Sequence, residues 1–186
     1  MDDVQGARAA ALAAVLLSGC GVYAQGSTGY TTTPANERAY RGAPVNLHAG
    51  VNLDDRRAAK LGLLPAAGVN LRGRVTAKNQ QGGLGLEAMG RLLLDPHGSA
   101  PLTPMELYAR AGFSLLQLGN DRGHLAAGAF SPMIELGTVW MLGHEDVPYY
   151  TLSAFAERDV RFTEAPGHTF FGLLLGGGLM KVTGRR

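Results

Sequence analysis

Gly68-Val69-Asn70-Leu71-Arg72-Gly73-Arg74-Val75-Thr76-Ala77-Lys78 alternates without a miss from Val69 onward. Val69, Leu71, Gly73, Val75 and Ala77 fall on one side; Asn70, Arg72, Arg74, Thr76 and Lys78 fall on the other. A period of two sends alternate side chains to opposite faces of a strand, whereas a helix would scatter them around its circumference. The stretch is a β-strand with one oily and one charged face.

The same alternation recurs on both sides of it. Upstream, residues 45–53 set Val45, Leu47, Ala49, Val51 and Leu53 against Asn46, His48, Gly50 and Asn52. Downstream, residues 84–94 oppose Leu84, Leu86, Ala88, Leu92 and Leu94 to Glu87 and Arg91, and residues 105–115 oppose Met105, Leu107, Ala109, Ala111 and Phe113 to Glu106, Tyr108 and Arg110. Residues 124–142 are too long for one membrane-crossing strand of about 9–11 residues, so Ser131-Pro132 is read as a break into strands 124–130 and 133–142, with a single bent strand, and seven strands in all, as the alternative. Residues 149–162 and 168–182 complete the set. Asn79-Gln80-Gln81-Gly82-Gly83 and Asn120-Asp121-Arg122-Gly123 read as turns, residues 54–65 as a connection with a helical turn ending at Gly62, and residues 95–104 as a loop. The fold class expected is all-β, a closed antiparallel up-and-down β-barrel of about eight strands, since a meander this long removes its edges by closing.

Composition agrees. Glycine, at 27 residues of 186, is about twice the usual share, and charged residues at 17% fall below the roughly 25% of ordinary soluble domains. The net charge of +2 is spread along strands where bases alternate with acids, so no basic patch for nucleic acid is expected. The one cysteine, Cys20, excludes an internal disulfide and a cysteine-rich metal site.

Cys20 follows a nine-residue apolar run, residues 9–17, of the length of a secretory signal core and too short for a membrane-spanning helix. Leu17-Ser18-Gly19-Cys20 resembles the bacterial lipoprotein signal box. The resemblance implies cleavage before Cys20, a thioether from its thiol to diacylglycerol, usually with a further fatty-acyl chain such as palmitate on its amine, and, with Gly21 in place of a retaining Asp, sorting to the outer membrane. Two or more acyl chains give stable anchoring where one does not. The competing reading is simple secretion to the periplasm with cleavage after Ala24, since Val22-Tyr23-Ala24 also offers small-residue positions. The domain expectation is a signal peptide over 1–19, a lipidated N-terminus and flexible Gly/Ser/Thr/Pro tether over 20–43, with Tyr30 and Tyr40 able to dock on the domain, and a barrel over 44–186.

The polar faces collect Arg72, Arg74, Lys78, Arg91, Arg110 and Arg161 against Glu87, Glu106, Glu135, Glu157 and Asp159. Six positive charges nearly cancel five negative ones. In a small membrane barrel these would fill the lumen and pair around the ring, making a plug and not a pore. The pattern resembles the small eight-stranded outer-membrane barrel proteins in type. An inverted, lipocalin-like barrel would put the same charges in water; the absence of aromatics between residues 44 and 104 favours it, while the low charge content, the apolar finish 170–180 and the late aromatics Trp140, Tyr149, Tyr150, Phe162, Phe170 and Phe171 favour the membrane.

No catalytic site, cofactor site or metal site is expected. His48, His97, His124, His144 and His168 form no ligand pair; His144-Glu145-Asp146 reads as a solvated turn; His124 and Ser131, seven apart, fall on opposite faces of a continuous strand and do not make a lipid deacylase. Gly176-Gly177-Gly178 is followed by no helix and so is no phosphate cradle; it lets neighbours approach the last strand closely. The functional expectation is a non-enzymatic structural or interaction barrel of the envelope, with membrane lipid as partner through Cys20 and the wall. The alternatives are a lipid-tethered carrier of a small apolar ligand and a lipid-modifying enzyme.

Overall fold

The chain, in a computed structural model, is described over residues 21–35, 38–52, 62–77, 79–94, 106–121, 124–127, 130–141, 148–160 and 168–181. Its strands are β1 (Val22–Thr32), β2 (Gly42–Asn52), β3 (Leu63–Thr76), β4 (Asn79–Leu93), β5 (Glu106–Asp121), β6 (His124–Ala127), β7 (Ser131–Met141), β8 (Pro148–Arg158) and β9 (Thr169–Lys181). Every pairing is antiparallel. The order β4-β3-β2-β1-β9-β8-β7-β5 closes on itself through a β4–β5 ladder, and β6 extends the β5 edge.

The register fixes the barrel's shape. A row of direct partners runs Thr32, Phe171, Ala156, Ile134, Ala111, Ala88, Ala67, Val51 and back to β1 at Val22. It returns ten residues from where it began, Thr32 to Val22. A stagger of that size over eight strand positions, with strands about 4.8 Å apart rising about 3.3 Å per residue, tilts the strands by about 40°. An 11-residue strand such as β1 or β8 then stands roughly 28 Å along the barrel axis, enough for the ~25 Å apolar band of an outer-membrane barrel. The start of β1, Val22, and the end of β9, Lys181, lie at one rim, here called end A; the end of β1 and start of β2, like the end of β8 and start of β9, lie at end B.

Four details differ from the sequence reading. The tether expected over 20–43 contains β1, which pairs with β2 and β9 and closes the barrel, so the barrel begins at Val22 and not at 44. The stretches 124–130 and 133–142 are not two barrel strands. Leu118↔Ala127 and Ser114↔Ser131 share one register against β5, so β6 and β7 are a single interrupted strand, and β1 supplies the eighth position. The expected turn 79–83 lies within β4, with Val75 opposite Gln80, so the connection tightens to Ala77 and Lys78; Asn120 and Asp121 likewise belong to β5. Finally, the end of the expected 54–65 connection is strand: β3 starts at Leu63, just after Gly62, whose φ of 71° suits glycine. The helical turn before it lies outside the described residues.

Direction of the faces follows the alternation. Along β3, Leu71 is 50% exposed while Arg72 is 4% exposed. The outer wall carries Val45, Leu47, Val69, Leu86, Ile134, Leu136, Leu152, Leu173, Leu175 and Leu179, all exposed. Among the described strand side chains, Arg158 at the end of β8 is the one exposed charge. The lipocalin-like orientation is thereby corrected: the oily face is outside.

Glycine and aromatic residues are matched across the ladders. Tyr23 faces Gly50, Tyr108 faces Gly137, and Tyr149 and Phe155 face Gly178 and Gly172, each as a direct partner. A Cβ on Gly137 would come within 2.7 Å of the Tyr108 ring, and one on Gly178 within 2.7 Å of the Tyr149 hydroxyl. The inner rings lie over strand backbone that only glycine leaves bare. This accounts for part of the high glycine content, and for Gly178 in the Gly176–Gly178 run as a close-approach site. Tyr149 and Phe170, two of the late aromatics counted toward a membrane-facing wall, are buried in the lumen instead.

Candidate functional site: the lumen charge network

The inward side chains form three charged tiers. At end A, Arg91 on β4 donates through Nη1 to Glu106 Oε2 on β5 (3.1 Å) and through Nη2 to Asn52 Oδ1 on β2 (2.6 Å). Tyr23, Met89, Tyr108, Val139 and Tyr149 form an apolar cluster around this end.

The middle tier is centred on two glutamates. Glu87 accepts from the Tyr23 hydroxyl at 2.8 Å, lies 2.6 Å from His48 Nδ1 and pairs with Arg110 Nε at 3.6 Å. Glu135 accepts from the Tyr108 hydroxyl, from Ser153 Oγ at 2.7 Å and from Arg110 Nη1 at 3.0 Å. Arg110 spends its other amino group on Gln25 Oε1 at 2.7 Å, and Gln25 Nε2 donates to Thr151 Oγ1 at 3.1 Å. The guanidinium on β5 thus joins β1, β4 and β7 directly, and through its partners the tier reaches β2 and β8. Burial makes each charge depend on this geometry, because a buried ion that loses its partner keeps its desolvation cost.

Toward end B, Arg74 donates to Asp159 Oδ2 (2.8 Å), Glu157 Oε2 (3.3 Å) and Gln81 Oε1 (2.7 Å), with its guanidinium carbon 3.3 Å above the Phe170 ring centroid. Arg72 bonds Asn70 Oδ1, Ser114 Oγ and the Ser131 carbonyl, and approaches Glu157 at 3.7 Å. Ser131 Oγ donates to Asp159 Oδ1 at 2.9 Å. The 3-10 turn Arg38–Tyr40 brings Tyr40 over this tier, its ring 4.5 Å from His168 and 6.2 Å from Phe170. Of the two tyrosines in the expected tether, Tyr40 is thus part of the end-B seal, whereas Tyr30 stands on the outer wall.

Arg72, Arg74, Glu87, Arg91, Glu106, Arg110, Glu135 and Asp159 are all buried inward, and Glu157 is nearly so. Lys78, Arg161 and Cys20 lie outside the described residues. Sequence reading missed Tyr23, Gln25, His48, Asn52 and Tyr108 as members. His48, Asn52 and Tyr108 carried a usable signal, since each shares the polar phase of its strand. Tyr23 and Gln25 fell where no strand was expected. Among the described residues no group of three or more His, Cys, Asp or Glu could hold a metal ion, and His124 and Ser131 lie at the starts of β6 and β7, seven residues apart along one interrupted strand.

No protein-family model matches the chain, and no curated protein does. Among solved structures it is similar to the crystal structure of Neisserial surface protein A, with a TM-score of 0.56 and 12% identity, covering 87% of this chain and 96% of that one. The likeness is one of fold: a small closed antiparallel barrel, here with a charge-paired, filled interior and an oily wall.

Proposed function

We propose that the chain is an outer-membrane barrel with a structural or interaction role at the cell envelope, inserted through its wall and not acting as an enzyme or pore. The observation that carries the reading is the orientation of β3: Leu71 outward in an apolar belt, Arg72 and Arg74 inward in ion pairs. A soluble carrier needs the reverse, with the apolar face lining its cavity. The neighbour's name, a surface protein, supports the same address. Trp140, the one tryptophan, stands on the outer phase of β7 near end A. Folded into phosphatidylcholine vesicles, the protein should show Trp140 fluorescence quenched by lipids brominated along their chains; unquenched fluorescence with a folded barrel would refute insertion.

We further propose that Cys20 carries the lipid anchor. Support comes from the signal box and from the position of β1: the Gly21 carbonyl already accepts a hydrogen bond from Asn52 N at 2.7 Å. An anchor on Cys20 would hold the end-A rim directly against the lipid, with no intervening tether. Fatty-acid labelling of wild type but not Cys20→Ala is the expected result, and equal labelling of the two would exclude it.

A further inference from the structure

The outer wall has one place where shape and charge coincide. Across β7, β8 and β9, Ile134, Ala156 and Phe171 are direct partners, and Leu136, Ala154 and Leu173 are direct partners in the next outward row. The large side chains stand well out, with Leu136 63% exposed, while the alanines between them stay low. The result is a trough along β8. At end B it opens into a hollow of about 230 Å³ lined by Pro132, Met133, Ile134, Ala156 and Thr169 and by two charged residues, Glu157 and Arg158. Arg158 is the last residue of β8, exposed, and the direct partner of Thr169. Its neighbour Glu157 turns inward to Arg72 and Arg74, at 3.7 and 3.3 Å, and so does not neutralise it. The other exposed charges described at this rim, Arg38 and Arg41, are basic too.

We propose that this trough seats one anionic phospholipid, its acyl chain over Ala156 and Ala154 and its phosphate on Arg158, with the Thr169 hydroxyl as a second donor. Strands on either side of β8 are about 10 Å apart between backbones. Once the flanking side chains are in place, the slot admits a polymethylene chain but not a helix, which needs about 10–12 Å for itself. An arginine at the mouth, without an acidic partner among the described residues, selects a negative headgroup over a zwitterionic one. The proposal rests on the membrane insertion argued above.

The experiment folds the full chain into phosphatidylcholine vesicles containing phosphatidylglycerol, floats the vesicles, extracts the protein in mild detergent and counts retained lipids by mass spectrometry. Wild type should be enriched in phosphatidylglycerol over the bulk ratio by about five-fold, the effect of one arginine near an anionic headgroup. Arg158→Gln should return the ratio to bulk, Arg158→Lys should keep most of the enrichment, and Ala156→Leu, which fills the trough from outside, should lower retention of both lipids. Bulk-ratio lipid on wild type, or undiminished phosphatidylglycerol on Arg158→Gln, would overturn the seat while leaving insertion intact. Failure of wild type to float would overturn both.

Discussion

The hydroxyl of Tyr23, on the first strand, donates to Glu87, on the fourth, across 2.8 Å in the middle of the barrel. The second residue of β1 is therefore part of the interior, and the chain cannot be trimmed past it without cost. Cleavage after Ala24 would remove this bond and the register pairs Val22↔Val51 and Tyr23↔Gly50.

The mature N-terminus is accordingly expected at Cys20 or Gly21, and intact mass spectrometry of protein purified from membranes reads it directly. A mature chain starting at Gln25 would be incompatible with β1 as found here. Supplied as a variant beginning at Gln25, the chain should fold poorly or with a strongly lowered unfolding midpoint.

Removing one member of the middle tier strands the rest. Glu87→Ala takes from Tyr23 its acceptor and from Arg110 one of its two carboxylates, and Arg110→Ala takes from Glu87 and Glu135 the cation they share. Each should destabilise by roughly 3–5 kcal/mol, as breaking a buried pair does, measured by urea unfolding in lipid vesicles. Losses within about 0.5 kcal/mol, the range of ordinary surface changes, would mean the tier is hydrated and uncoupled.

Leu71→Arg now separates lipid from water. Because Leu71 is 50% exposed, an arginine there would cost almost nothing in a soluble barrel. Near the bilayer midplane it should cost about 2–4 kcal/mol. The measurement is the difference in unfolding free energy between variant and wild type in vesicles.

Gly137 is expected to tolerate no side chain while Tyr108 covers it. Gly137→Ala would place a Cβ 2.6 Å from that of Ser153 and 2.7 Å from the Tyr108 ring. Overpacking of this kind costs about 1–3 kcal/mol. Tyr108→Leu should relieve part of the penalty, so a double-mutant cycle should return a coupling well above zero; additive losses would show the two residues to be independent.

How much of this was legible before the structure depends on contrast between faces. On β3 and β4 the outer residues are leucine and valine and the inner ones arginine and glutamate, so the period of two is unmistakable and the lumen charges could be named from it. On β1 the outer phase is Val22, Ala24, Gly26, Thr28 and Tyr30, and the inner phase begins Tyr23, Gln25, Ser27. Neither phase is clearly the oilier, so the strand looks like a linker. Pro132 misled in the other direction: it stands inside β7, opposite Phe113 in the ladder with β5, and a proline alone does not reveal whether a strand ends at it or runs through it. The partners of each charge could not be read at all, because Gln25–Arg110 and Tyr23–Glu87 are neighbours only once eight strands have curled through a full turn.

The seam between β1 and β9 joins Val22 to Lys181, nearly the whole length of the chain. Closure must therefore wait for the last strand to arrive. Until then both terminal strands present bare edges beside a wall of exposed leucine and valine, the condition in which strands aggregate. The time to close such a barrel is therefore set by the meeting of its first and last strands, and not by the hairpins between them.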